Sequence, residues 1–179
     1  MAEYYTMKIA GLERKLEKFP VSDKMDIAAF IIFGDVELTV AGCAELLKKL
    51  PEFDVILTPE AKSIPIAYEM ARQTGKPYVI ARKGLKVYMR NPLEVDVTSI
   101  TTKQQQNLFL GETEVNMLKG KRVLIIDDVI STGESLAAVR DLVKEAGGKE
   151  AAACAFLAEG DAADRDDIIF LEKLPLFFK

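Results

Sequence analysis

Histidine is absent from the 179 residues. That one absence removes Ser-His and Cys-His triads, imidazole acid-base catalysis and histidine-ligated metals. Cysteine is scarce: only Cys43 and Cys154 occur, which form neither a zinc spacing nor a disulfide framework and so favour the cytoplasm. No apolar run approaches the ~20 residues of a membrane span, and the opening MAEYYTMK lacks a signal-peptide core, so no membrane partner is expected. Basic excess is missing as well. The 24 Lys and Arg against 28 Asp and Glu leave a net charge of −4, which argues against a nucleic-acid partner. What is present is 49% hydrophobic and 29% charged residues, the profile of a soluble globular protein of one domain.

Tyr5, Ile9, Leu12, Leu16 and Phe19 recur at spacings of four, three, four and three before Pro20, and the spacing predicts an amphipathic helix. The apolar IAAFIIF at 27–33 is a strand or a buried helical turn, and 36–50 reads as a helix stopped by Pro51. From Asp54 onward strands and helices alternate: strand 54–58, helix 63–73, strand 77–81, strand 122–126, helix 133–146 and strand 151–157. Strands this uniformly apolar are buried on both faces, as in a parallel sheet covered by helices. The expected fold class is therefore α/β, an open, mostly parallel, doubly wound sheet with helices on both faces. One domain over 1–179 is expected, with an N-terminal hood (1–53), a core (54–157) and a C-terminal tail (158–179) whose apolar IIFLEKLPLFFK packs on the core or on a partner chain. Residues 84–111 interrupt the alternation around a polar centre, SITTKQQQN. A connection this long is a lid or a projecting ribbon, and Val95, Val97 and Ile100 equally allow a β-hairpin at the sheet edge.

The stretch VLIIDDVISTGES, Val123 to Ser135, is an apolar strand, two acids and a Ser-Thr-Gly turn opening a helix. Ligands of open α/β sheets bind beyond the carboxyl ends of the strands, which puts Asp127 and Asp128 at the crevice. The turn supplies free backbone amides, and the helix start adds its positive end, so together they form an anion site suited to a phosphate. Gly133 permits close approach of the backbone, while Ser131, Thr132 and Ser135 offer hydroxyl donors. Two acids repel a phosphate but accept hydrogen bonds from sugar hydroxyls or hold a bridging cation. Phosphate beside a diol means a ribose 5-phosphate. A helix cap with acids favouring the dipole would explain one Ser or Thr; two successive acids with three hydroxyls and a glycine favour the ligand site.

This stretch resembles the ribose-phosphate signature of the type I phosphoribosyltransferases, a hydrophobic strand followed by Asp-Asp and then Thr-Gly. A Rossmann fingerprint and a Walker loop are both absent. Two further segments are similar to that family. TPEAKS at 58–63 stands where the family holds pyrophosphate with backbone amides, Lys62 and Ser63 adding a cation and a hydroxyl, and Ala81-Arg82-Lys83 resembles its pyrophosphate-contacting pair.

The resemblance implies a purine phosphoribosyltransferase of the adenine/xanthine branch, acting on phosphoribosyl pyrophosphate and a purine base with Mg²⁺, as a homodimer in the cytoplasm. On this reading Asp127 and Asp128 hold the ribose hydroxyls. Ser131, Thr132, Gly133, Glu134 and Ser135 hold the 5-phosphate, and Ala61, Lys62, Ser63, Arg82 and Lys83 address pyrophosphate. The metal ligands are not assigned. The 84–111 segment falls on the family's mobile catalytic loop, where Lys103, or Lys86 and Arg90, would supply charge to the leaving group. Glu134 departs from the adenine pattern, which has Gly there, and SITTKQQQN is closer to the xanthine type. Adenine is the first expectation for the base. The alternatives are a xanthine/guanine-type enzyme, a regulator that binds phosphoribosyl pyrophosphate without turning it over, and a flavodoxin-like or receiver-like domain. The last leaves TPEAKS, ARK and the long loop unexplained.

Overall fold

The computed structural model describes residues 2–97 and 106–179. At the N-terminus it replaces the expected helix with a hairpin, β1 (Tyr4–Ile9) antiparallel to β2 (Leu12–Ser22). Tyr5, Met7 and Ile9 turn inward while Tyr4, Thr6 and Lys8 are exposed, a period of two. The spacing of four that separates Tyr5 from Ile9 and Leu12 from Leu16 is shared by helix and strand. The turn decides between them: Ala10 (φ 50°) and Gly11 (φ 80°) are both left-handed, the geometry of a two-residue turn that matches strand twist. β3 (Met25–Ala28) adds to β2, so the strand reading holds for the first part of 27–33.

Asp35 caps α1 (Val36–Leu47), accepting from Leu38 N at 3.0 Å, and its carboxylate also receives Arg14 Nε of β2 at 2.6 Å. That pair seats the hairpin sheet on the helix. β4 (Val55–Pro59), α2 (Ile64–Thr74) and β5 (Tyr78–Ala81) follow. Next come β6 (Leu93–Val97) and β7 (Gln106–Leu110), an antiparallel hairpin, and then α3 (Glu112–Leu118). The hairpin reading of 84–111 is thus correct for its flanks. Arg82 and Phe109 exchange main-chain bonds of 2.9 and 2.8 Å, fastening β7 to the β5 edge. Lys103 and Ile100 lie outside the described residues.

β8 (Arg122–Ile130), α4 (Glu134–Glu145), β9 (Lys149–Glu159), a 3₁₀ turn (Gly160–Asp164), β10 (Ile169–Leu174) and β11 (Phe177–Phe178) complete the chain. The central sheet is parallel throughout, in the order β10-β9-β8-β4-β5. The C-terminal segment completes two sheets: β10 extends the central one, and β11 closes the N-terminal sheet β1-β2-β3-β11.

Alternate residues of the apolar strands serve opposite faces. Val123 and Ile125 of β8 join α4 and the β6–β7 hairpin, whereas Leu124 and Ile126 join α1, α2 and the N-terminal sheet. All four are buried, which is why β8 reads as a continuous apolar run. α1 approaches this second face so closely that a Cβ on Gly42 would lie 2.4 Å from the Phe156 ring.

The strand order fixes where a ligand fits. From β4 the chain moves outward to β5, and from β8 it moves the other way, through β9 to β10. The switch point lies between β4 and β8, and a crevice opens there beyond the strands' carboxyl ends.

Candidate active site

Two loops flank that crevice. After β4 the chain turns through Glu60, Ala61 and Lys62 into α2, with a cis peptide between Glu60 and Ala61. Ser63 lies beneath this loop, 1% exposed. Its hydroxyl accepts from Thr58 Oγ1 at 2.7 Å and donates to Pro59 O at 3.2 Å, so it braces the turn from below. Glu60 N donates to Ala81 O at 2.9 Å, and its Oε2 accepts from Lys83 N at 3.0 Å. Arg82 Nε is 3.4 Å from the same carboxylate oxygen. Glu60 therefore joins the loop after β4 to the end of β5, a link without any local sequence signal because 23 residues separate its partners.

The second loop follows β8. Asp127 and Asp128 lie within β8, near its C-terminal end, and Asp128 N donates back to Asp127 Oδ1 at 2.9 Å. Burial, and then the negative charge of Asp128 beside it, push the Asp127 carboxyl well above the usual carboxylate range. Asp128 is 4% exposed, and its Oδ2 has no hydrogen-bond partner. Its compensation is ionic: Lys62 Nζ stands 2.9 Å away, reaching across from the loop after β4. Glu159, at the end of the neighbouring β9, is also pushed up by burial, with Lys62 opposing the shift.

Ser131 to Gly133 connect β8 to α4, Gly133 at φ 85° giving the left-handed turn that starts the helix. Together these elements enclose a cavity of about 350 Å³, lined by Glu60, Ala61, Lys62 and Lys83 on one side and Asp127, Asp128 and Ser135 on the other. Val97 and Leu108 of the β6–β7 hairpin form an apolar wall that the sequence reading did not anticipate. A smaller hollow, about 50 Å³, adjoins it at Asp127 and Ser135 and runs along Ser131, Thr132 and Gly133. Glu134 is the first residue of α4 and does not line either space.

Of the residues singled out in the sequence, Ala61, Lys62, Lys83, Asp127, Asp128, Ser131, Thr132, Gly133 and Ser135 therefore meet around one crevice. Arg82 and Lys83 part company. Successive side chains of an extended segment face opposite ways, and Arg82 lines a separate hollow with Tyr88, Met89 and Glu114. Ser63 sits behind the crevice wall. Lys103 lies outside the described residues.

Mg²⁺ is tested by the same donors. Among the described residues no group of three or more acids, cysteines or histidines is placed to hold a metal by itself. A hard cation that keeps several waters and takes most of its oxygens from a phosphate needs only one or two carboxylates. Asp127 and the Oδ2 of Asp128, whose one partner among the described residues is the exposed Lys62, fit a metal carried in by its ligand.

A parallel sheet with its switch point between β4 and β8, the loop after β4 on one side, and an acid pair with the loop after β8 on the other make up the site. The chain belongs to the phosphoribosyl transferase domain family, which matches residues 33–175. Hypoxanthine/guanine phosphoribosyltransferase of Methanocella arvoryzae is 35% identical over 128 residues, 72% of this chain and 61% of that relative. Adenine phosphoribosyltransferase of Thermotoga neapolitana is 37% identical over 108 residues, 60% of each chain. The match thus spans about 60% of the length of these relatives. The crystal structure of adenine phosphoribosyltransferase from Thermoanaerobacter pseudethanolicus shares the fold, with a TM-score of 0.72, 23% identity, and coverage of 88% of this chain and 95% of that one. The Trypanosoma brucei adenine enzyme, in complex with AMP, pyrophosphate and ribose-5-phosphate, has a TM-score of 0.63 at 15% identity and covers 76% and 64%.

Proposed function

We propose that the chain is a purine phosphoribosyltransferase, transferring ribose 5-phosphate from phosphoribosyl pyrophosphate to a purine base and releasing pyrophosphate. The observation that carries this reading is the meeting of two anion loops on either side of one acid pair, around a cavity of about 350 Å³. The names of the relatives and the ligands of the Trypanosoma brucei complex support the same assignment.

In this reading Asp127 and Asp128 accept the ribose hydroxyls. Ser131 to Ser135, with the start of α4, hold the 5-phosphate through main-chain amides and hydroxyls. Ala61, Lys62 and Lys83 face pyrophosphate, while Ser63 braces their loop from beneath and Arg82 fixes it through Glu60. As the bond to pyrophosphate lengthens, positive charge grows on the ribose and negative charge on the leaving group. The acids stabilise the first and the lysines the second, with no covalent nucleophile needed. That division of labour suits a chain without histidine. Mg²⁺, bound with pyrophosphate, would neutralise leaving-group charge. Lys103, in the connection between β6 and β7, adds charge to the leaving group in the same scheme. Val97 and Leu108 exclude water from one side of the reacting centre.

Adenine is the preferred base, in line with the named relatives at 37% identity. Hypoxanthine and guanine are the second reading, favoured by the relative whose match covers 72% of the chain. The protein works as one domain and as a homodimer in the cytoplasm, with an apolar hollow of about 420 Å³ rimmed by exposed Val36, Val40 and Tyr68 as the face for the second copy. Incubation with phosphoribosyl pyrophosphate, Mg²⁺ and a panel of adenine, guanine, hypoxanthine, xanthine and a pyrimidine, with pyrophosphate release as readout, tests the activity and the base together. Release with a purine alone is expected. Tight donor binding without release from any base would make the protein a sensor instead.

A further inference from the structure

We infer that Arg165, remote in sequence from every motif above, is the cationic positioning residue of the sugar-phosphate loop. This depends on the phosphoribosyl reading and adds to it. The hollow assigned to the 5-phosphate is lined by Asp127, Val129 to Gly133, Ser135 and Leu136. It offers main-chain amides and hydroxyls, one carboxyl group and no cationic side chain. A phosphate monoester brings about 1.5–2 negative charges near neutral pH, whereas a helix start returns only about half a unit of positive charge. The loop as lined is therefore short of positive charge for its proposed ligand.

Arg165 makes up that shortfall from behind. Its Nη1 stands 2.2 Å from the point a Cβ would occupy on Gly133. The guanidinium thus rests on the main chain where the loop becomes α4, at a place only glycine leaves open. The opposite edge of the fork is clamped: Nε and Nη2 donate to the two carboxylate oxygens of Asp167, each at 2.8 Å. Nη1 has no acceptor among the described residues. Asp167 is itself held by Arg140 Nη1 at 2.7 Å, and Arg140 pairs with Glu150 at 2.8 and 2.9 Å. Arg140 lies on α4 and Glu150 on β9, so the helix and the sheet both anchor the clamp. The result is a guanidinium with its carboxylate partner on one edge and its unpaired nitrogen against the phosphate loop. Gly133 consequently answers to two constraints, a left-handed φ of 85° and contact with Arg165.

Calorimetry of the full chain with two probes, ribose 5-phosphate and inorganic pyrophosphate, tests this. Arg165→Met is expected to weaken ribose 5-phosphate about tenfold, through loss of a positive charge close behind the loop, and to leave pyrophosphate unchanged. Arg165→Lys, which keeps the charge but loses the fork, is expected to recover part of the loss. A second readout separates charge from mere support. The phosphate gains its second charge near pH 6, and Asp127, which lines the same hollow, ionises above the usual carboxylate range in wild type and variant alike, so the gap in ribose 5-phosphate affinity between wild type and Arg165→Met should widen from pH 5.5 to 7.5. Equal losses for both probes, or wild-type affinity and pH profile in Arg165→Met, would overturn the inference. Should Arg165→Met fail to fold, Arg165→Lys with an unaltered affinity and an unaltered pH profile would overturn it as well. Wild-type protein that binds neither probe would overturn the phosphoribosyl reading itself, an outcome distinct from the others.

Discussion

Lys62 Nζ and Asp128 Oδ2 stand 2.9 Å apart across the crevice, the lysine side chain 52% exposed and the aspartate 5%. The pair joins the loop proposed for pyrophosphate to the acids proposed for ribose. In the proposed assignment each partner stands in for the other's ligand, the ammonium for the ribose and the carboxylate for the diphosphate. On that assignment, filling the site would exchange one ion pair for two sets of substrate contacts.

Lys62→Met is accordingly expected to act with opposite tendencies on two ligands. Pyrophosphate binding should weaken by about tenfold, the loss of one charge-assisted contact. Ribose 5-phosphate binding should not weaken, since Asp128 loses a competitor. Calorimetry with each ligand checks both arms, and parallel losses would mean that Lys62 only supports the fold.

Asp127→Asn separates function from stability. Because the folded-state pKa of Asp127 is raised, by burial first and Asp128 second, the neutral acid is the form the fold favours. The stability it contributes is complete in acid, below the usual carboxylate value, and is lost as pH climbs through the raised one. A permanently neutral asparagine escapes that loss. The variant should melt at or above the wild-type temperature at pH 8, by roughly 2–4 °C if about 1 kcal/mol is recovered, with a smaller difference at pH 5. Transfer activity should fall by at least about a hundredfold, as for loss of a charged group acting in the transition state. A variant that loses melting temperature and activity together would place Asp127 in the fold rather than in the chemistry.

Thr132→Val tests the sugar-phosphate loop. Thr132 lines the hollow beside Asp127 and Gly133, and removing its hydroxyl should weaken ribose 5-phosphate by about 1–3 kcal/mol, the penalty for an unmet polar group. Unchanged calorimetric affinity would contradict its role.

Gly42→Ala probes the packing of α1 on the sheet. The added methyl would fall 2.4 Å from the ring of fully buried Phe156, and overpacking of this kind costs about 1–3 kcal/mol. Thermal melts should register that loss while ligand affinities at low temperature stay at wild type. An unaltered melting temperature would show that the helix shifts to make room.

What the sequence disclosed follows the range of each interaction. The sheet strands were legible because burial on both faces makes them uniformly apolar, β8 most clearly with Val123 to Ile126. The acid pair and the Ser131–Ser135 turn were legible because one continuous segment carries them. The N-terminal hairpin was not, since repeats of four serve strand and helix alike and the deciding turn includes Ala10, a residue rarely left-handed. Glu60 to Lys83, Lys62 to Asp128 and Arg165 to Gly133 are contacts between distant segments, and no local pattern encodes them. The split between Arg82 and Lys83 needed the direction of the chain beyond β5, which the dipeptide alone does not supply.

A crystal structure of the chain with phosphoribosyl pyrophosphate and Mg²⁺ is the most direct test of the shared rim. The expected density places the diphosphate against Ala61, Lys62 and Lys83, the ribose hydroxyls on Asp127 and Asp128, and the 5-phosphate within the Ser131–Ser135 turn, with Lys62 drawn away from Asp128. A donor bound on another face of the sheet, or with its two phosphate ends reversed between the loops, would contradict it.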